Sequence, residues 1–256
     1  MLGKIRNRIN SWRLNVKSYN RKKQIQKDLD EKKIEHLKKT ISCKYKWYGN
    51  SYGGFFIIPE LLNNSSIVYS FGIGKDLSFD EMVIKNHHCK VYGFDPTPKS
   101  INWIKEQKLP NTFYFHDYGI SDSDTRYVDF FLPKNPKGVS GSIVNHVDTN
   151  KENYVKVLIK SFDDIAKELN HNHIDVVKMD IEGIEYEVLN SLLKSSVTID
   201  QLLVEFHDRL FDKQEFKSKE IVQKLKEHGY EVFGSSISYE EISFVHKRKI
   251  NKLNIL

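Results

Sequence analysis

Two glycines stand between a short apolar run, Ile67 to Phe71, and a helical stretch: Gly72-Ile73-Gly74. Glycines in that position allow a tight turn and let a ligand approach bare backbone at a helix N-terminus. Asp95 follows 21 residues after Gly74, at the end of the next apolar run. That is the distance at which a carboxylate reaches the two hydroxyls of a ribose bound over the glycines. With Phe71, Ile73 and Pro96 beside them, the two loops read as an adenosine-binding site. A pyrophosphate ligand wants a third glycine and an uncancelled helix dipole. Here Leu77 occupies the third glycine's place and Asp76 lies close to where phosphates would sit. A carboxylate there repels a diphosphate and tolerates a cationic, zwitterionic ligand, which favours S-adenosylmethionine over NAD. Asp117, after the third strand of the series, is assigned to the same cofactor group.

A second chemical cluster is Lys178-Met179-Asp180-Ile181-Glu182-Gly183-Ile184-Glu185, several acids directly after a strand and at the start of a helix. Asp180 and Glu182 are read as functional, and Glu185 as an acid placed favourably on a helix dipole. His171 and His173 form an HxH pair that precedes a strand and so belongs to the opposite rim. His87, His88 and Cys89 also lie in a connection entering a strand, which favours structural or solvated roles. Cys43 and Cys89 have no CxxC or CxxH spacing, so neither a disulfide framework nor a Cys-rich zinc site is expected.

The elements that must position these residues alternate. Strands are expected at 67–71, 91–94, 111–116, 174–179 and 199–206, with helices at 77–87, 99–107, 184–193 and 213–228 between or after them. Ser161-Phe162-Asp163-Asp164 opens a further helix with Ser161 as N-cap. Two extra strands, 126–132 and 154–160, flank a loop containing Gly138 to Ser142 that could close over an acceptor. Residues 230–236 and 241–246 form a closing β-hairpin. The pattern is an open, mostly parallel α/β sheet, whose ligands bind beyond the carboxyl ends of the strands. An N-terminal helical extension, residues 1–45, precedes a main domain of 46–256.

These residues resemble the FkbM-type S-adenosylmethionine-dependent methyltransferases. The resemblance runs from Tyr52-Gly53-Gly54 through Gly72-Ile73-Gly74 and Phe94-Asp95-Pro96 to Ser161-Phe162-Asp163, the Lys178 to Glu185 segment (K-x-D-x-E-G-x-E) and Glu205-Phe206-His207. It implies a Rossmann-like class I methyltransferase sheet with an antiparallel strand inserted near its end. It also implies O-methylation of a carbohydrate or lipid-linked glycan hydroxyl. On this reading Asp180 or His207 is the general base and Glu182 orients substrate or cofactor, while Tyr52, Glu182, Glu205 and His207 face the acceptor. An alternative has Asp180, Glu205 and His207 hold a divalent cation that activates the hydroxyl. The competing functions are an NAD(P)-dependent oxidoreductase on the same sheet and a non-catalytic nucleoside-binding scaffold.

The 256 residues carry a formal charge of +6, and its location limits the partners. Residues 1–40 hold 13 Lys and Arg against 4 Asp and Glu, a surplus of nine, so 41–256 carry 27 against 30, a deficit of three. A nucleic-acid-binding module normally bears its basic footprint on the folded domain, so no nucleic-acid partner is expected. Leu2, Ile5, Ile9, Trp12, Val16 and Tyr19 recur at helical spacing among basic residues. That pattern suits peripheral contact with an anionic membrane or self-association. With no apolar secretory signal and no membrane-length apolar run, the expected location is cytoplasmic, at the inner face of a membrane if the helix binds one.

Overall fold

A computed structural model describes residues 19–135, 141–144, 149–211 and 217–250. The helical stripe expected over residues 2–18 and the loop residues 138–140 lie outside the described residues. A helix, α1, covers residues 19–30. It is followed by a short antiparallel pair, β1 (Lys46–Tyr48) and β2 (Phe55–Ile57). The central unit then runs β3 (Ile67–Phe71), α2 (Ser78–His87), β4 (Lys90–Phe94), α3 (Pro98–Ile104) and β5 (Phe113–His116). An inserted three-stranded sheet, β6 (Gly119–Ser121), β7 (Arg126–Pro133) and β8 (Thr149–Ser161), leads into α4 (Phe162–Glu168). The second half is β9 (His173–Met179), α5 (Glu185–Leu192), β10 (Thr198–Glu205), α6 (Lys217–Glu227), β11 (Tyr230–Ser235), β12 (Glu241–His246) and α7 (Lys247–Ile250).

The seven-stranded sheet has the order β11-β12-β10-β9-β3-β4-β5. β3, β4, β5, β9 and β10 pair in parallel, and β12 alone runs antiparallel, wedged between β10 and β11. This is the Rossmann-like class I methyltransferase arrangement. Strand order reverses between β3 and β9, so the cleft expected beyond their carboxyl ends falls there.

The central strands are buried on both faces, and the alternation inside each strand assigns residues to the two layers. Tyr69, Phe71, Phe94 and Val177 face one cluster with Phe162 of α4 and Leu189 of α5. Val68, Val91, Val176 and Leu203 face the other with Phe79 and Val83 of α2. Residues of the N-terminal extension join the first layer. Ile34 and Leu37 are buried in it, Ile25 and Leu29 pack against it, and the Thr40 amide donates to the Val232 carbonyl at 2.8 Å. Ser161 caps α4 by accepting the Asp164 amide at 3.2 Å, as its sequence position predicts. Among the described residues no helix is long and apolar enough to cross a membrane.

Candidate active site

A cleft of about 460 Å³ opens at the carboxyl ends of β3, β4, β9 and β10. Its floor at the β3–β9 reversal depends on Gly72. That residue has φ +81°, and a Cβ on it would lie 1.7 Å from the Asp180 carbonyl oxygen, so the two strand ends can meet only over a glycine. The Gly72 amide donates to the Phe94 carbonyl at 3.0 Å, and Lys178 Nζ donates to the Gly72 carbonyl at 3.0 Å. Phe71 and Phe94 stack at the base, with ring centroids 4.6 Å apart.

Asp95 joins the first two loops. One carboxylate oxygen accepts the Gly74 amide at 2.7 Å and the other the Thr97 amide at 2.8 Å. Burial pushes its pKa up, with bonds from Thr97 and Gly74 opposing the shift. Asp76 takes a different role from a bare repulsive charge. Its Oδ1 accepts the Ser78 amide at 2.9 Å in the first turn of α2, and its Oδ2 accepts Asn50 Nδ2 at 2.8 Å. The acid thus ties the Asn50–Gly54 segment to the helix start, and a Cβ on Gly53 would sit 2.6 Å from it.

The other half of the cleft is acidic. After β9 the chain turns through Glu182 at φ +53° and Gly183 at φ +106°. A left-handed glutamate is uncommon, and backbone of this kind recurs where a side chain must be aimed at a site. Ser142, brought in by the insertion, donates its hydroxyl to the Glu182 carbonyl at 2.7 Å. The Gly183 amide donates to both Glu185 oxygens at 3.0 and 3.1 Å, holding that carboxylate beneath the turn. His207, from the loop after β10, lies below the cleft rather than on it and is wholly buried. Its Nδ1 is 2.6 Å from Glu185 Oε1. Its Nε2 stands 3.6 Å from Asp180 Oδ1, 3.5 Å from Glu182 Oε2 and 3.5 Å from Glu205 Oε1. Burial alone would lower the imidazole pKa, but Glu185 first, then Asp180 and Glu182, outweigh it and raise it to about 10. Glu205 is pushed up, by burial and by the facing Asp180.

Phe71, Gly72, Ile73, Gly74, Asp76, Asp95, Pro96, Asp180, Glu182, Glu205 and Tyr52 all line this one cleft, with Tyr52 exposed at its mouth. Two sequence expectations are corrected. Asp117 is exposed and off the lining, because the chain leaves β5 and turns at once into β6. His207 has no surface from which to take an acceptor's proton or touch the acceptor. Four cleft or support residues were not anticipated. Glu185 stands in the first turn of α5, as read from the sequence, but is also a buried partner of His207. Lys178 could have been flagged as the one cation inside the apolar run Val176-Val177-Lys178-Met179. Arg209 Nη1 lies 3.2 Å from Glu240 and 3.7 Å from Glu205, and Arg21 of α1 also pairs with Glu240, so the basic extension reaches the cleft rim. Neither arginine carries a local sequence signal. The opposite-rim histidines, read from the sequence as surface groups, are half-buried and bonded: His171 Nδ1 with Tyr69 at 2.7 Å and His173 Nδ1 with Thr198 at 2.8 Å.

Comparison with known proteins sets this geometry in a family. Over 155 residues, 60% of this chain, it is 28% identical to "Probable methyltransferase-like protein 24" of Homo sapiens, and it matches the Rattus norvegicus protein of that name at 28% over 156 residues. The matched stretch spans 36% of the length of either relative. Among solved structures it is similar to the Methanococcus jannaschii fibrillarin pre-rRNA processing protein, with a TM-score of 0.44 at 12% identity, covering 75% of this chain and 70% of that one. It is similar also to Aeropyrum pernix fibrillarin with natively bound S-adenosyl-L-methionine, with a TM-score of 0.40 at 9% identity, covering 73% and 67%. The family model described as the methyltransferase FkbM domain matches residues 66–232, most of the central sheet and the whole acidic loop, and the chain belongs to that family.

Proposed function

We propose that this protein is an S-adenosylmethionine-dependent O-methyltransferase acting on a hydroxyl of a carbohydrate or lipid-linked glycan. The observation that carries the reading is the division of one cleft into two chemically distinct halves: a glycine turn locked by Asp95, and a set of carboxylates 180, 182 and 205 beyond it. Gly72, Gly74 and Asp95 would hold the nucleoside, Asp95 by its oxygens and the glycines by bare backbone. Bound there, S-adenosylmethionine supplies a methyl group already activated on a sulfonium. The chain's remaining task is to place an acceptor oxygen in line and to remove its proton. Asp180, partly exposed at the end of β9, is the better base, because His207 is buried and turned toward Glu185. Glu182 and Glu205 would accept hydrogen bonds from neighbouring hydroxyls, which suits an uncharged polyol and disfavours an anionic acceptor.

Asp76 argues against NAD. Its carboxylate already occupies the Ser78 amide in the first turn of α2, where a diphosphate would have to bind. Calorimetric titration should show binding of S-adenosylmethionine and of its demethylated product, and none of NAD. Absence of binding by both sulfur nucleosides would refute the reading. Acceptor class is tested by transfer of labelled methyl from S-adenosylmethionine to neutral glycans, with mass spectrometry locating the added methyl; labelling of protein or nucleic acid only would overturn the glycan assignment.

A further inference from the structure

The imidazole of His207 aims Nε2 at three carboxylate oxygens 3.5–3.6 Å away, yet this wholly buried atom has no hydrogen-bond partner. The other ring nitrogen faces Glu185, whose oxygens already accept the Gly183 amide and so act as acceptors toward Nδ1–H. That pairing orients the ring and leaves Nε2 as the nitrogen that faces the three carboxylates. A buried nitrogen without a hydrogen-bond partner, facing three carboxylate oxygens 3.5–3.6 Å away, leaves a gap that a cation fills by displacing the Nε2 proton to solvent. A carboxylate that orients a histidine from behind, as Glu185 does, is also the usual outer support of a metal-ligating imidazole.

We infer that Asp180, Glu182 and His207 form a site for a divalent first-row cation, with Glu205 available as a fourth ligand. Candidate ligand atoms of the first three all lie within 4.8 Å of one another. Imidazole suits Zn, Fe and Ni, while carboxylates suit Mn and Mg, so the mixed set points to Mn²⁺ or Zn²⁺ ahead of Mg²⁺ or Ca²⁺. The left-handed backbone at Glu182, held by Ser142 through the Glu182 carbonyl, is what turns that carboxylate inward.

Two other acidic groups among the described residues do not qualify. Asp200, beside His173 and Asp175, is already paired with Arg248 at 3.1 Å and Lys249 at 2.7 Å. Glu205, Glu240 and Glu241 form the third group, in which Glu240 pairs with Arg209 and Arg21. The proposed site differs from both in that its central buried nitrogen is unpartnered. Its use, which rests on the methyltransferase reading, would be to bind the acceptor oxygen and lower its pKa as a Lewis acid.

The test uses the full chain, stripped with chelator and dialysed. Mn²⁺ titrated into it, followed by calorimetry and by loss of the free-Mn²⁺ electron paramagnetic resonance signal, should occupy one site. Asp180→Asn and Glu182→Gln should each weaken that binding, and Glu185→Gln should weaken it roughly ten- to hundredfold. Circular dichroism confirms that the variants are folded, and Asp129→Asn, an exposed residue paired with Lys156, should leave binding unchanged. Competition by Zn²⁺ with a weaker effect of Mg²⁺ supports the mixed ligand set. In nitrogen-15 spectra the His207 Nε2 signal should broaden on Mn²⁺ addition and lose its proton on Zn²⁺ addition. No saturable binding of Mn²⁺ or Zn²⁺, binding indifferent to the 180 and 182 substitutions, or a doubly protonated His207 that ignores added metal would each overturn the site. S-adenosylmethionine is titrated separately, so its failure to bind would sink the methyltransferase reading and leave the cation site standing.

Discussion

Gly72, under the cleft, and Asp80, buried on α2, show how single residues bear on the fold. Gly72→Ala would put a methyl group 1.7 Å from the Asp180 carbonyl at a positive φ, and no rotation relieves a clash with backbone. The expected cost is about 3 kcal/mol or more, with S-adenosylmethionine binding lost even where the variant folds, since Asp180 must move. Urea melts and calorimetry on one preparation check both; a variant of unchanged stability and affinity would contradict the packing. Asp80, on α2, is buried, one of its oxygens lacks a partner, and burial pushes its pKa up to about 6, with the Lys178 ammonium opposing the shift. For an acid raised in the folded state the sign is inverted from the usual case. Its neutral form favours folding below the unfolded pKa of 3.8, and that contribution is lost as pH rises through about 6. The loss is on the order of 2–3 kcal/mol. Asp80→Asn should therefore lack this fall and gain on the parent between pH 4.5 and 7.5. Urea midpoints that stay parallel across that range would rule the argument out.

At the scale of elements, most of the central sheet is readable because strands buried on both faces spell largely apolar runs, as Ile67 to Phe71 does and as Ile174 to Met179 does apart from Asp175 and Lys178. Three-residue strands such as β1, β2 and β6 show no period and leave no such trace. That Gly72, Gly74 and Asp95 meet in one cleft was equally readable, because they are fixed by turn geometry and by the length of one β-α-β unit. The acidic half was less so. Glu185 sits where any acid would complement a helix dipole, and only the return of the chain 22 residues later, bringing His207 beneath it, gives it another role. Charge surplus marked residues 1–40 as an appendage, yet Ile34 and Leu37 are core residues of the sheet layer that α6 covers. Leu37→Ala should accordingly destabilise the whole fold by about 2–5 kcal/mol, as a core truncation does. A urea midpoint within error of the parent would mean that this segment is only draped on the surface.

For the molecule as a whole, the embedding of residues 34–41 changes how the surplus positive charge can be tested. Deleting all of 1–40 would strip Ile34 and Leu37 from the core and confound membrane binding with unfolding. Removing residues 1–18 spares the described structure while taking away Lys4, Arg6, Arg8, Arg13 and Lys17 with no acidic residue. Each basic group near an anionic surface contributes about 1 kcal/mol, and Trp12 with the isoleucines adds apolar burial. The full chain should co-sediment with vesicles containing phosphatidylserine, lose that binding at high salt, and bind neutral phosphatidylcholine vesicles far less. The chain beginning at residue 19 should remain in the supernatant with its thermal midpoint unchanged. Because α1 begins at residue 19 and Arg21 on it reaches Glu240 on the cleft rim, a membrane-bound extension would set the cleft mouth close to the lipid surface. A lipid-linked glycan would be presented there directly. Equal partitioning of the two chains would remove the membrane reading and leave self-association, read by concentration-dependent sedimentation, as the role of the basic segment.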